Sequence, residues 1–260
     1  MARTTLVTLD VSPDSAAVAK KAAEHLAATV KQAVAARGIA RVAISGGSTP
    51  KRMFALLAQE PFLSGIPWDK VHLYWVDERC VAPTDPESNF GVTKELLLDK
   101  VPLPASQVYR MEGELDPQEA SSRYEALIRN TFKLEGAETP VFDLVQLGMG
   151  DDGHTASLFP HTAGIDEMGR IAFANHVPQK NTWRITLSWP VINAAREVVF
   201  LIEGAAKTEV LSRVLTGPKD VETLPSQLIR PANGKLLFLL DTVAAAKLPA
   251  PNGGTMEWVG

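Results

Sequence analysis

Two carboxylates, a histidine, a threonine and a serine crowd into Asp151-Asp152-Gly153-His154-Thr155-Ala156-Ser157, inside a glycine-rich stretch running from Gly148 to Pro160. Its glycines Gly148, Gly150 and Gly153 satisfy the G-x-G-x-x-G spacing by which a backbone approaches a dinucleotide's pyrophosphate at a helix N-terminus. Asp151 and Asp152 argue against that chemistry, because two carboxylates repel a diphosphate. The acidic ribose partner expected about 20 residues further on is also missing, since the stretch Ile171 to Val177 runs into Pro178. A plain turn between strand and helix, capped by Asp152 or Thr155, accounts for the glycines and one carboxylate. It leaves His154 without a reason to be there.

Three more clusters could do chemistry. Ser45-Gly46-Gly47-Ser48-Thr49-Pro50 is a small-residue turn whose backbone N–H groups and hydroxyls suit a phosphate, helped by the dipole of the helix it opens. It lacks the Gly-Lys-Ser/Thr of a Walker A loop, and a plain capping turn fits it equally well. Asp77-Glu78-Arg79 follows directly on an apolar run. Lys207 falls at the start of a helix, where a cation is electrostatically disfavoured; it is either placed for an anionic ligand or a solvated surface lysine. His72, His154 and His176 have no ligand-like spacing, so no metal site is expected.

These clusters need elements to position them. Apolar runs at Thr5–Leu9, Arg41–Ile44, Val71–Val76, Val108–Met111, Phe142–Leu147, Asn181–Leu187, Glu197–Ile202 and Lys235–Asp241 read as strands. Helical periodicity separates many of them: Asp14 to Ala36 after a Ser12 N-cap and a Pro13 at N1, the stretch through Leu57, Phe90 to Leu98, Pro117 to Phe132, and the segment from Lys207 to Leu215. Strands alternating with helices imply an α/β fold, a mainly parallel open sheet with helices on both faces. In such a sheet ligands sit at the carboxyl ends of the strands. Ser45 to Thr49, Asp77 to Arg79, Asp151 to His154 and Lys207 therefore form one site if they share one sheet edge. Arg184 is expected to point inward from its strand.

At 260 residues and 45% hydrophobic content the chain reads as a single domain, with a poorly ordered tail from about 249 apart from Trp258. A net charge of −4 offers no global basic field for nucleic acid or an anionic membrane. The single cysteine, Cys80, excludes an internal disulfide and fits a reducing compartment. No apolar window approaches a membrane span, and a cytoplasmic protein is expected.

Taken together, Ser45 to Pro50, Val76-Asp77-Glu78-Arg79, Ser88-Asn89-Phe90, Gly148 through Pro160, Arg184-Ile185-Thr186-Leu187 and Gly204 to Lys207 resemble the 6-phosphogluconolactonase family, in order and over nearly the whole chain. The related glucosamine-6-phosphate deaminases share a similar Gly-rich Asp-Gly-His turn, but the continuation Thr155-Ala156-Ser157-Leu158-Phe159-Pro160 matches the lactonases. Arg79 points the same way, where the deaminases typically carry Tyr. His161 departs from the family, in which a glycine commonly follows Phe-Pro.

The resemblance implies the fold of the deaminase, ribose-5-phosphate isomerase and CoA-transferase type, and hydrolysis of a phosphorylated sugar lactone without a cofactor. It makes His154 the general base, as an unperturbed imidazole titrates near pH 6.5, with Asp152 orienting it or the water. Arg79 or the backbone N–H groups of the glycine turn are candidates for the developing oxyanion. Ser45, Gly46, Gly47, Ser48 and Thr49, with Arg184 and Lys207, are expected to hold the phosphate. Asp77 either helps activate water or pairs with Arg79. The expected partner is a small sugar phosphate, with no nucleic acid and no membrane, for a monomer or small homo-oligomer. A deaminase on the same scaffold and a catalytically silent sugar-phosphate sensor are the competing readings; the residues after His154 argue against the first, and the presence of His154 and Asp152 against the second.

Overall fold

A computed structural model describes residues 4–231 and 233–259. Strands β1 (Thr4–Ser12), β2 (Ala40–Ile44), β3 (Val71–Trp75), β5 (Val108–Tyr109), β6 (Leu144–Leu147), β9 (Glu197–Ile202), β10 (Lys235–Asp241) and β11 (Gly254–Val259) form an eight-stranded sheet in the order β11-β1-β10-β9-β6-β2-β3-β5. Every pairing in it is parallel except β1 with β11. Strands β4 (Asp77–Arg79), β7 (Ala172–Val177) and β8 (Thr182–Leu187) make a second, antiparallel sheet in the order β4-β8-β7.

The large sheet is buried on both faces, which is why its strands read as nearly continuous apolar runs. Alternate residues divide between two cores. Val42, Ile44, Leu73 and Trp75 join the cluster that α1 (Ser15–Arg37) and α2 (Ser48–Leu57) cover. Ala43, Tyr74, Phe200 and Phe238 point to the opposite cluster, against α5 (Pro117–Phe132) and α7 (Thr208–Thr216). Shorter helices complete the chain: α3 (Phe62–Gly65), α4 (Asn89–Thr93), α6 (Trp189–Asn193) and α8 (Thr242–Ala245).

Several elements depart from the sequence reading. Asp14, not Ser12, caps α1, accepting a hydrogen bond from the Ala17 amide at 2.8 Å; the Asp carboxylate reaches the third amide of the helix, as an N-cap must. Asp77 to Arg79 is a strand rather than a turn, because β8 supplies its hydrogen-bonding partner. The glycine-rich stretch after β6 opens no helix, so neither Asp152 nor Thr155 caps one. The tail is not a loose end: β11 pairs antiparallel with β1, and Trp258 is buried. Arg230 lies over the Trp258 ring at 4.1 Å, so the indole has both a core and a cation to hold it.

Chain succession reverses at one boundary of the large sheet. From β2 the chain steps outward to β3 and β5, whereas from β6 it steps the other way to β9 and β10. The carboxyl ends of β2, β6 and β9 therefore open onto the switch point where α/β sheets bind ligands.

Candidate active site

A cleft of about 970 Å³ lies at this switch point. Its wall contains Ser45, Gly46, Gly47, Ser48 and Thr49 after β2, Gly148, Met149, His154, Ala156 and Ser157 after β6, and Glu203, Gly204 and Lys207 after β9. Asp77 and Arg79 enter from β4, and Arg184 from β8. Thus each of the four turns read from the sequence contributes residues to one cavity. Asp152 does not line it; it stands behind His154.

The stretch after β6 is a compact loop built to hold one imidazole. The Gly150 amide donates to the His154 carbonyl at 2.8 Å, and the Thr155 hydroxyl to the Gly148 carbonyl at 2.8 Å. Asp152 Oδ1 accepts from the His154 amide at 3.1 Å and meets the ring Nδ1 at 2.5 Å. Phe159 stacks on the imidazole face, its ring centroid 4.1 Å from that of His154. Burial pushes the Asp152 carboxyl up, but the hydrogen bond and charge of His154 outweigh this and hold it at about 2. An ionised carboxylate only accepts, so Nδ1 donates to Asp152, and in the neutral imidazole Nε2 then carries the lone pair. Nε2 has no hydrogen-bond partner among the described residues. Gly150 makes this approach possible: a Cβ there would fall 2.0 Å from His154 Nδ1 and 2.5 Å from Asp152 Oδ1.

Asp77 is buried, and its Oδ2 accepts from the Ser157 hydroxyl at 2.8 Å. Asp77 forms no ion pair with Arg79 among the described residues, so of its two expected roles that pairing is not made. Glu78 points the other way and is a structural hub. It accepts from the amides of Arg79, Asn89 and Phe90 at 2.8, 2.7 and 2.8 Å and from the Ser88 hydroxyl at 3.1 Å. Burial raises its carboxyl above its ordinary value against the three amide donors. Asn89 in turn donates to the Asp77 carbonyl at 2.9 Å and packs on Gly46, where a Cβ would meet Asn89 Oδ1 at 1.8 Å.

Arg79 and Arg184 are direct cross-strand partners in the β4–β8 ladder. Arg79 donates to the Glu87 carbonyl at 2.6 Å, and Arg184 to the Thr182 hydroxyl at 2.9 Å and the Trp183 carbonyl at 3.1 Å. Neither has a carboxylate within 4 Å among the described residues. Burial, and then the adjacent Arg79 charge, push the Arg184 guanidinium below its ordinary value. Two like charges facing each other without a carboxylate in contact can accommodate an anion between them. The turn opening α2 adds donors, for Gly47 at its N-cap supplies no side-chain hydrogen bond and the first amides are left free for a ligand.

Arg52, Asn89, Lys180 and Glu203 also line the cleft but had no role in the sequence reading of the site. Asn89 was legible as part of Ser88-Asn89-Phe90; Arg52 and Glu203 carried no signal, since each reads as a solvated charge. Among the described residues no group of three or more His, Cys, Asp or Glu is gathered as a metal site.

Fold and cleft together define an open-sheet α/β protein with a carboxylate-anchored histidine in a cleft at the switch point of its sheet. The chain belongs to the family described as glucosamine-6-phosphate isomerases/6-phosphogluconolactonase, whose model matches residues 13–238. It is 36% identical over 242 residues to a 6-phosphogluconolactonase of Nostoc sp., covering 93% of this chain and 98% of the relative. A 6-phosphogluconolactonase of Haemophilus influenzae is 37% identical over 211 residues, covering 80% and 87%. Among solved structures, 6-phosphogluconolactonase from Leishmania guyanensis superimposes with a TM-score of 0.82 at 30% identity, over 93% of this chain and 98% of that one. A monomeric glucosamine-6-phosphate deaminase, at 18% identity and a TM-score of 0.77, shares the fold.

Proposed function

We propose that this protein hydrolyses 6-phospho-D-glucono-1,5-lactone to 6-phosphogluconate, the second step of the oxidative pentose phosphate pathway. The observation that carries the reading is the His154 imidazole, whose Nδ1 is anchored on Asp152 and whose Nε2 has no partner among the described residues, in a cleft that Arg79, Arg184 and Lys207 also line. The names of the relatives support the same substrate.

In this mechanism Nε2 takes a proton from water as its oxygen attacks C1. The carbonyl electrons move onto oxygen, and Arg79 or the glycine-turn amides stabilise that charge. Collapse breaks the bond from C1 to the ring oxygen, which leaves with the proton returned by the imidazolium. Asp152 holds the imidazole in its tautomer and stabilises its charged form. Asp77, fixed by Ser157, helps orient the water. Ser45, Gly46, Gly47, Ser48 and Thr49 hold the phosphate with Lys207 and Arg184. No metal or cofactor enters any step. We take residues 1–260 as one α/β lactonase domain, a cytoplasmic monomer or small homo-oligomer without nucleic-acid or membrane partners. The net charge of −4 and the single cysteine support this, and no helix among the described residues is long and apolar enough to cross a membrane.

The test is 6-phosphogluconate formation from freshly generated lactone, measured against the spontaneous rate with a chelator present. Wild type should accelerate it, and His154→Ala should lose about 10²–10⁴-fold in turnover while keeping its affinity for 6-phosphogluconate. No acceleration by wild type would overturn the activity.

A further inference from the structure

The cleft wall contains a charge that a phosphate site should avoid. Glu203 follows β9 directly and belongs to the same turn as Gly204 and Lys207, yet it is a carboxylate in a cavity for an anion. Its side chain is only 12% exposed. Oε2 is buried with no hydrogen-bond partner among the described residues, an unfavourable state for a carboxylate oxygen. Oε1 is the occupied atom: it accepts from Arg52 Nη1 at 2.9 Å.

Arg52 lies one helical turn beyond Ser48 on α2, so both side chains share the face that borders the cleft. Its side chain is 56% exposed, and the bond to Glu203 is its one side-chain hydrogen bond among the described residues. A guanidinium offers five N–H donors in a fixed fork, so most remain for a ligand. The pair also spans the site. β9 and β2 flank β6 on opposite sides, and Arg52–Glu203 joins the turn after β9 to the helix after β2, the two segments assigned above to the phosphate.

We infer that Arg52 is a further phosphate-binding residue of this cleft and that Glu203 is the positioning residue that holds its guanidinium there. An exposed arginine left to itself samples many rotamers and gives up that freedom on binding. Glu203 removes this loss beforehand, and the positive charge of Arg52 offsets the repulsion its carboxylate would exert on the ligand. The inference rests on the cleft being a sugar-phosphate site, and it needs binding alone, not turnover.

The experiment is calorimetric titration of the full chain with 6-phosphogluconate and, as the control without phosphate, gluconate. Arg52→Ala should weaken 6-phosphogluconate binding on the order of tenfold and leave gluconate binding unchanged. Glu203→Ala should also weaken 6-phosphogluconate binding, against the direction expected from deleting a negative charge. Glu203→Gln, which keeps the acceptor oxygen, should recover most of the loss. The double variant should bind no worse than Arg52→Ala, since Glu203 acts through the arginine. Unchanged binding by Arg52→Ala would reduce the pair to a rim ion pair, and equal or tighter binding by Glu203→Ala would show that the carboxylate only repels the ligand. Either result overturns the inference. Matching melting temperatures confirm that the variants are folded. A wild type that binds 6-phosphogluconate but hydrolyses no lactone refutes the proposed activity and leaves this inference intact; one that does not bind it refutes both.

Discussion

Asp152 Oδ1 accepts both the backbone amide and the ring Nδ1 of His154, so one carboxylate fixes the position and the tautomer of the base. Asp152→Asn keeps the size of the side chain but introduces donors that allow the opposite tautomer. Turnover should fall by about 10²–10⁴-fold, with 6-phosphogluconate affinity at the wild-type level by calorimetry. The same pair gives a pH signature. The Asp152 carboxyl is held at about 2 against an ordinary value of 3.8, so the folded state favours its ionised form. That stabilisation is fully present above the unfolded value and is lost as pH falls through the folded one. The melting-temperature gap between wild type and Asp152→Asn should therefore be present at pH 7 and close between about pH 4 and 2. Gly150 shows how much of the site was readable at this scale. The sequence marks it as a turn glycine, but its function is to leave room beside His154 Nδ1, where a Cβ would lie 2.0 Å away. Gly150→Ala should displace the imidazole and lower turnover by about 10²-fold in a protein whose circular dichroism is that of wild type. His154, Asp152 and Ser45 to Thr49 were legible because each interrupts or follows an apolar run. Arg52 and Glu203 were not, because a contact across 151 residues gives them their environment.

At the scale of elements, the second sheet brings the arginines into the cleft. Apolar runs identified β8, but nothing in a three-residue strand such as β4 exceeds the noise of a turn. Its pairing with β8 is decided by tertiary contact, and with it the register that sets Arg79 opposite Arg184. Directly opposed like charges destabilise a ladder. Arg184→Gln should therefore raise the stability of the ligand-free protein by about 0.2–1 kcal/mol while reducing the increase in melting temperature that 6-phosphogluconate produces. Thermal melts with and without the ligand measure both effects; a fall in ligand-free stability with an unchanged ligand response would remove these arginines from the anion site. Glu78 ties the same strand to the start of α4 through the three hydrogen bonds it accepts from Ser88, Asn89 and Phe90. The sequence reading treated it as one of three charges at a strand end, whereas its burial makes it a support for Arg79 and Asn89 rather than a cleft residue.

At the scale of the whole molecule, the two ends of the chain meet at the edge of the large sheet. Pro249 to Gly260 contains two prolines and three glycines, a composition that reads as a tail, and only Trp258 signalled otherwise. The structure resolves the conflict in favour of the tryptophan. β11 covers the edge of β1 that would otherwise expose unpaired backbone groups, and Trp258 completes the core cluster that includes Val7, Leu236 and Phe238. Arg230 closes the outer face of the indole and has a guanidinium nitrogen buried without a partner among the described residues. Cation–π attraction is therefore part of what accommodates that charge, and burial depresses the Arg230 guanidinium accordingly. Trp258→Ala should remove about 3–5 kcal/mol of stability by the cavity it leaves, and more than Trp258→Phe, which keeps a ring under Arg230. Because β11 lies at the sheet edge, with β1, β10 and β9 between it and β6, the KM for lactone should stay at the wild-type value in both variants at temperatures where they are folded. Urea unfolding and initial-rate kinetics on the same preparations separate the two effects. A raised KM without loss of stability would mean that the C-terminal strand reaches the cleft in solution and that the edge packing described here is not what Trp258 serves.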